Sequence, residues 1–207
     1  MKTAALVSAA LAGGAGTPAQ GSTAGAALDE VRDFLSELKE PPETEPERLR
    51  MTSTLHALDH ASRLVDVVAD GALPRRPAEA AEDHRAATLC TQAMHAAQAV
   101  AGSITQETAL SAQAATIGWS VSSEVAAALA ELEGAAGELD ALQRDHRAAT
   151  LASVAPGNLT AADALARIDA VRRLDRIAHH AWRSAAHLLG RGAAPPLAED
   201  NLPFTER

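Results

Sequence analysis

The chain has no tyrosine, and its 207 residues include only two phenylalanines and two tryptophans. Sheets draw on aromatic and β-branched side chains, so this scarcity removes the usual material of a β core. The single cysteine, Cys90, excludes an intramolecular disulfide. It also excludes a zinc site built from paired Cys and His, and in its apolar helical context it reads as a small buried residue. No stretch reaches the roughly 18 consecutive apolar residues of a membrane span. Basic residues are outnumbered, 18 Lys and Arg against 27 Asp and Glu, for a formal charge of −9. A nucleic-acid binder needs a basic footprint to displace counterions, so that partner class is excluded. A polybasic face for anionic lipid is excluded on the same ground. There is no phosphate loop, dinucleotide fingerprint or nucleophile motif. Gly13-Gly14 lies outside any strand-loop-helix context.

What is present is alanine and leucine in helical periodicity. Alanine has the highest intrinsic helix propensity and lets helices approach closely, so the chain is expected to be all-α. Residues 1–25 are Ala/Gly-rich and carry a basic Lys2 before a short apolar run, a weak signal-like pattern that also fits a flexible linker. Ordered structure is expected from about Ala26. Leu28, Val31, Leu35 and Leu38 then share one helical face, and Pro41, Pro42 and Pro46 break the helix. A second helix is expected over Glu47–Ala69, with Leu49, Met51, Leu55, Leu58, Ala61, Val65 and Val68 as its apolar positions. A boundary at Gly71, Pro74 and Pro77 follows. The third helix is expected from Ala78 to Val100, ended by Gly102 and Ser103. The fourth is expected from Thr105 through Ile117 and Trp119 to Leu132, with a break near Gly134 and Gly137 and a resumed pattern to Val154. Both tryptophans, Trp119 and Trp182, read as core anchors. Pro156, Gly157 and Asn158 make a turn, and Thr160 with Asp163 is a capping signature for a long last helix. The tail 191–207 is Pro-rich, polar and expected to be disordered.

That last helix, Leu159–Leu189, concentrates the Asp, Arg and His of the chain. Its apolar stripe is Leu165, Ile168, Val171, Leu174, Ala178, Ala181, Ala185 and Leu188. Two repeats are visible. Asp83–Leu89 and Asp145–Leu151 are identical, DHRAATL, and Ala57–Leu64 echoes Arg173–Ala181 through a Leu-Asp pair in each. The expected fold is an elongated antiparallel helical bundle over 26–190, built from duplicated units at about 26–70 and 78–190, the first lacking a helix.

Two constellations carry candidate chemistry. His56 and His60 are four apart with Asp59 beside them, and Asp175 and His179 are four apart with His180 beside them. That spacing puts both members of a pair on one helix face, and carboxylate with imidazole suits a divalent transition metal ion. The same spacing also makes ordinary polar contacts between helices. Arg63, Arg172, Arg176 and Arg183 form the second set, suited to an anion or an acidic partner surface through the guanidinium fork. Salt bridging along the helix would neutralise part of it.

The segment Leu174–Ala181, LDRIAHHA, resembles the signature helix of the PhoU family, Leu-Glu-Arg-Ile-Gly-Asp-His-Ala. Asp175 stands for its Glu, Arg176, Ile177, His180 and Ala181 match, and His179 stands where the second carboxylate belongs. Together with Leu58–Leu64, the region 26–189 is similar to the PhoU-like helical domain at the C-terminus of bacterial sodium/phosphate cotransporters. The resemblance implies paired three-helix repeats and a non-enzymatic, regulatory part in sodium-dependent phosphate transport. It places the chain in the cytoplasm, peripheral to the inner membrane, with a membrane phosphate transporter or its membrane domain as partner. A homo-oligomer is compatible with it. It also implies multinuclear metal binding through paired carboxylates, and both pairs depart from the pattern here, at Arg63 and His179. The alternative is an exported Ala-rich bundle with a structural or binding role, if residues 1–26 are a signal peptide.

Overall fold

The computed structural model describes residues 18–37, 42–69, 80–111 and 121–191. They form five helices and no strand, so the chain is an all-α bundle in its described part. The helices are α1 (Pro18–Glu37), α2 (Glu45–Ala69), α3 (Ala81–Ser111), α4 (Ser123–Ala152) and α5 (Ala161–Leu188). Helix α5 is the hub: it packs against α2, α3 and α4. Helices α3 and α4 also pack on each other, whereas among the described helices α1 packs only on α2. The bundle is therefore a three-helix core, α3–α4–α5, with the α1–α2 pair docked on α5. No described helix is long and apolar enough to cross a membrane.

Several helix ends differ from the sequence-based expectation, each for a local reason. Helix α1 begins at Pro18, before the expected start near Ala26. Proline is favoured in the first turn, where its missing N–H costs nothing, and the Ala-rich text that follows propagates the helix. Helix α2 begins at Glu45, so Pro46 lies inside its first turn rather than in the preceding break. The start is fixed by a reciprocal cap. The Thr44 amide donates to Glu47 Oε2 at 3.0 Å, and the Glu47 amide donates to Thr44 Oγ1 at 3.4 Å.

Helix α3 does not stop at Gly102 but continues to Ser111. Helix α4 runs unbroken through Gly134 and Gly137. A glycine costs only about 1 kcal/mol in a helix interior, less than a broken helix would lose in packing. The expected fourth helix, Thr105–Leu132, is thus divided. Its first residues extend α3, and its last open α4, where the Val125 amide donates to Ser122 Oγ at 3.3 Å. Ile117 and Trp119 fall outside the described residues, as do residues 1–17 of the signal-like segment 1–25, the boundary at 70–79 and the tail from 192.

The turn into α5 follows the expectation. Gly157 has φ +80°, a left-handed conformation that glycine adopts without strain. The Asp163 amide donates to Thr160 Oγ1 at 3.1 Å. Thr160→Ala should cost about 1 kcal/mol of stability, read from the midpoint of urea unfolding. At the other end Gly190, φ +68°, closes α5.

The core is built from leucine, valine, methionine and alanine. Among the described residues, Met94, Leu132, Leu139, Ile177, Val67, Val100, Val125 and Cys90 are its largest fully buried side chains. Burial pushes the Cys90 thiol up to about 12, so it stays protonated and behaves as a small apolar residue. Near one end, Asp83 of α3 ties three helices together. Its Oδ1 lies 2.8 Å from His146 Nε2 of α4, and its Oδ2 lies 3.5 Å from Arg167 Nε of α5.

This contact also decides how the identical heptapeptides are used. The first copy buries Ala86 and Leu89. The second buries His146 and Thr150 and leaves Leu151 47% exposed. The two copies turn different faces inward, so their identity is not a repeated packing unit.

Candidate functional site: a histidine seam between α2 and α5

Helix α2 meets α5 along one face whose positions step by three and four: Ser53, Ala57, His60, Leu64 and Val67. Ala57, Leu64 and Val67 are buried. Leu49 and Leu55, expected at the apolar face, are 62% and 49% exposed. The true face is displaced round the helix from the expected stripe because the small residues Ser53 and Ala57 allow the closer approach.

Cross-helix bonds set the direction. Ser53 Oγ donates to the His187 carbonyl at 2.9 Å, and Ser184 Oγ donates to the Ala57 carbonyl at 3.0 Å. His60 faces His180. Arg173 donates twice to the Val67 carbonyl, from Nε at 3.1 Å and Nη2 at 2.7 Å. As the number rises on α2 it falls on α5, so the two helices are antiparallel.

Four histidines of α2 and α5 stack in this seam, and a fifth, His179, completes the group. His56 stacks on His187 with ring centroids 5.0 Å apart. His60 stacks on His187 at 5.6 Å and lies tilted against His180 at 5.4 Å. The Nδ1 atoms of His60 and His180 are 3.1 Å apart. His179 stands edge-on to His180 at 5.4 Å and to Trp182 at 5.9 Å. Arg183 lies over the Trp182 ring, 5.4 Å from its centroid, and its Nη2 donates to His187 Nε2 at 3.2 Å. Accepting that bond leaves His187 a neutral ring protonated on Nδ1.

The electrostatics keep these rings uncharged. Burial, then the charges of His180, Arg183 and His187, hold His60 down at about 4, with Asp59 opposing. Burial, then His179, Arg176 and Arg63, hold His180 at about 4, again with Asp59 opposing. His179 and His187 are also lowered, each by burial first and Arg183 second. Neutral imidazole is the form that donates a lone pair to a metal.

The candidates named from the sequence are divided by the fold. His60 and His179 come together. His56 joins the seam through His187 rather than through His60's ligand atoms. Asp59 is spent on Arg63, 2.9 Å away, at the exposed side. Asp175 is turned toward α4. There burial, and then Asp140, raise its carboxyl, while Arg144 opposes them. It is not among the ligand atoms that converge with His179.

The four arginines do not form one cradle. Arg172 pairs with Asp169 at 3.0 Å. Arg172, Arg173 and Arg176 line a shallow depression with Val67 and Asp169, and Arg173 is committed to the Val67 carbonyl. Arg63, Arg176 and Arg183 act on the histidines.

Residues that sequence reasoning left out of the site are His180 as a ligand-distance partner, His187 and Trp182. The i, i+7 spacing of His180 and His187, matched by Ser53, His60 and Val67, was the signal that a seven-residue seam would stack them.

No family model, curated protein or solved structure matches this chain.

Proposed function

We propose that this chain is a non-enzymatic, PhoU-like accessory domain that works by helix-surface contact with a membrane phosphate transporter or a signalling partner at the cytoplasmic face of the inner membrane. The observation that carries the reading is the α2–α5 seam. The two segments on which the resemblance rests, Leu58–Leu64 and Leu174–Ala181, lie on facing helices and meet at His60 and His180. Paired motif helices are what the family's duplicated architecture implies.

A second observation supports contact as the mode of action. The α1–α2 pair leaves Val31, Phe34, Leu49 and Leu55 between 42% and 63% exposed. Exposed large apolar side chains on this peripheral helix pair are material for contact with a partner.

The test is sodium-dependent uptake of radiolabelled phosphate in the native host with and without the gene. Uptake should change on deletion and be restored by the intact gene. It should not be restored by a Phe34→Glu, Leu49→Glu double variant that keeps its helical circular dichroism. Unchanged uptake on deletion would contradict the reading. Mapping the mature N-terminus tests the exported alternative, because cleavage near Ala24–Ala27 would cut within α1.

A further inference from the structure

The strongest feature that the proposed function leaves unused is the end of the seam where His60, His179 and His180 converge. One ring nitrogen from each lies within 4.8 Å of the other two. Ligands of a tetrahedral ion with metal–nitrogen bonds of about 2.0–2.1 Å stand roughly 3.3 Å apart. His60 and His180 are already at that separation, 3.1 Å between Nδ1 atoms. His179 is exposed, so its ring is free of tight packing, and its ligand nitrogen already lies within 4.8 Å of theirs.

The contact between His60 and His180 also shows how the pair can exchange its shared proton for an ion. Two neutral imidazoles facing through the same nitrogen are joined by one proton, which one Nδ1 donates to the lone pair of the other. An ion between them takes both lone pairs. The ring that carried its proton on Nδ1 moves it to Nε2, so no net proton is released.

We propose that His60, His179 and His180 bind a single divalent transition-metal ion of the zinc class, with its remaining position open to solvent. The donor set decides the class: three neutral nitrogens and no committed carboxylate suit zinc, copper or nickel and not magnesium or calcium. The charges around it point the same way. Arg63, Arg176 and Arg183 face the rings, with Asp59 opposing them. A hard cation held by charge alone would be repelled there, whereas an ion held by nitrogen lone pairs is bound by bonds that this field weakens but does not remove.

A bound ion would cross-link α2 to the hub helix, fixing the α1–α2 pair on the three-helix core. This inference does not rest on the accessory-domain reading. Metal binding can fail while transport regulation holds, and the reverse.

The experiment is calorimetric titration of the full, untagged, chelator-stripped chain with zinc chloride, and separately with magnesium chloride. One zinc ion per chain should bind in the micromolar range or tighter, and magnesium should give no saturable heat. His60→Gln and His180→Gln should each weaken zinc binding by about tenfold or more. Asp175→Asn, on the side facing α4, should leave it unchanged. Circular dichroism checks each fold. Should a half-buried-ring variant unfold, His179→Gln, at an exposed position, carries the test and should weaken binding likewise. The proposal is overturned by no saturable zinc binding, by magnesium binding as well as zinc, or by zinc affinity that survives the substitutions in folded protein.

Discussion

Replacing Ile177 with alanine should destabilise the protein by about 2–5 kcal/mol, lowering the thermal midpoint by on the order of 10 °C. Ile177 is 1% exposed and sits on the one helix that touches α2, α3 and α4. Its neighbours along the helix face, Ala178, Ala181 and Ala185, are small and buried. Alanines have no rotamers with which to swing into a void, so the cavity left by the isoleucine stays open and its full cost is felt. Leu165→Ala on the same helix is the control. Leu165 is 59% exposed, and its loss should stay within about 0.5 kcal/mol. Equal effects at the two positions, measured by thermal and urea unfolding, would mean that α5 is not the hub.

Acid should weaken the fold over a defined window. His60 and His180 are held at about 4 in the folded chain, against 6.5 for the free side chain. Above pH 6.5 both states carry neutral rings, and these groups leave stability unaffected by pH. Below it the unfolded chain binds protons that the folded chain refuses. Stability therefore falls as the pH drops from 6.5 to about 4 and levels off once the folded rings protonate too.

The groups facing the rings are Asp59 and Arg63 from α2, and Arg176, His179, Arg183 and His187 from α5. Allowing for the water that reaches these half-buried rings, the combined loss is on the order of 2 kcal/mol. Asp175 opposes the trend slightly, because its raised carboxyl favours the folded state as it protonates. Thermal midpoints at a series of pH values should fall through this window in the wild type and fall less in His60→Gln. A flat profile from pH 7 to 4 would show that the rings are not held neutral.

The fold class was legible because alanine-rich, aromatic-poor text with three-and-four spacing has one efficient solution, helices packed on helices. The capped start of α5 was legible for the same local reason, since Thr160 and Asp163 are a complete signal in four residues. The Thr44-to-Glu47 cap carried the same signal and was masked by the prolines around it.

Packing direction was harder to read. The stripe assigned to α5 included Leu165 and Leu188, which are exposed, and omitted Ile177, which is buried. A helix enclosed on three sides buries more than one stripe, and periodicity alone does not say which sides are covered. Helix α2 shows the converse. Its leucines Leu49 and Leu55 look like core and face solvent, while Ser53, Ala57 and His60 look polar or small and form the seam. Hydrophobicity ranks residues by their transfer energy, but this interface is set by how closely two backbones approach. The metal candidates followed suit. Spacing within one helix paired Asp175 with His179, yet rotation of α5 sends the carboxylate toward α4 and brings His60, from a distant stretch, to His180.

The most direct measurement of the central claim, that α2 docks antiparallel on α5 with His60, His179 and His180 meeting at one point, is nuclear magnetic resonance of the imidazole nitrogens during zinc titration. With one equivalent of zinc, the ring signals of His60, His179 and His180 should shift together and saturate together. The exposed rings of His84 and His95, on α3, should not move. Zinc shifts spread evenly over all the histidines, or confined to His84 and His95, would contradict it.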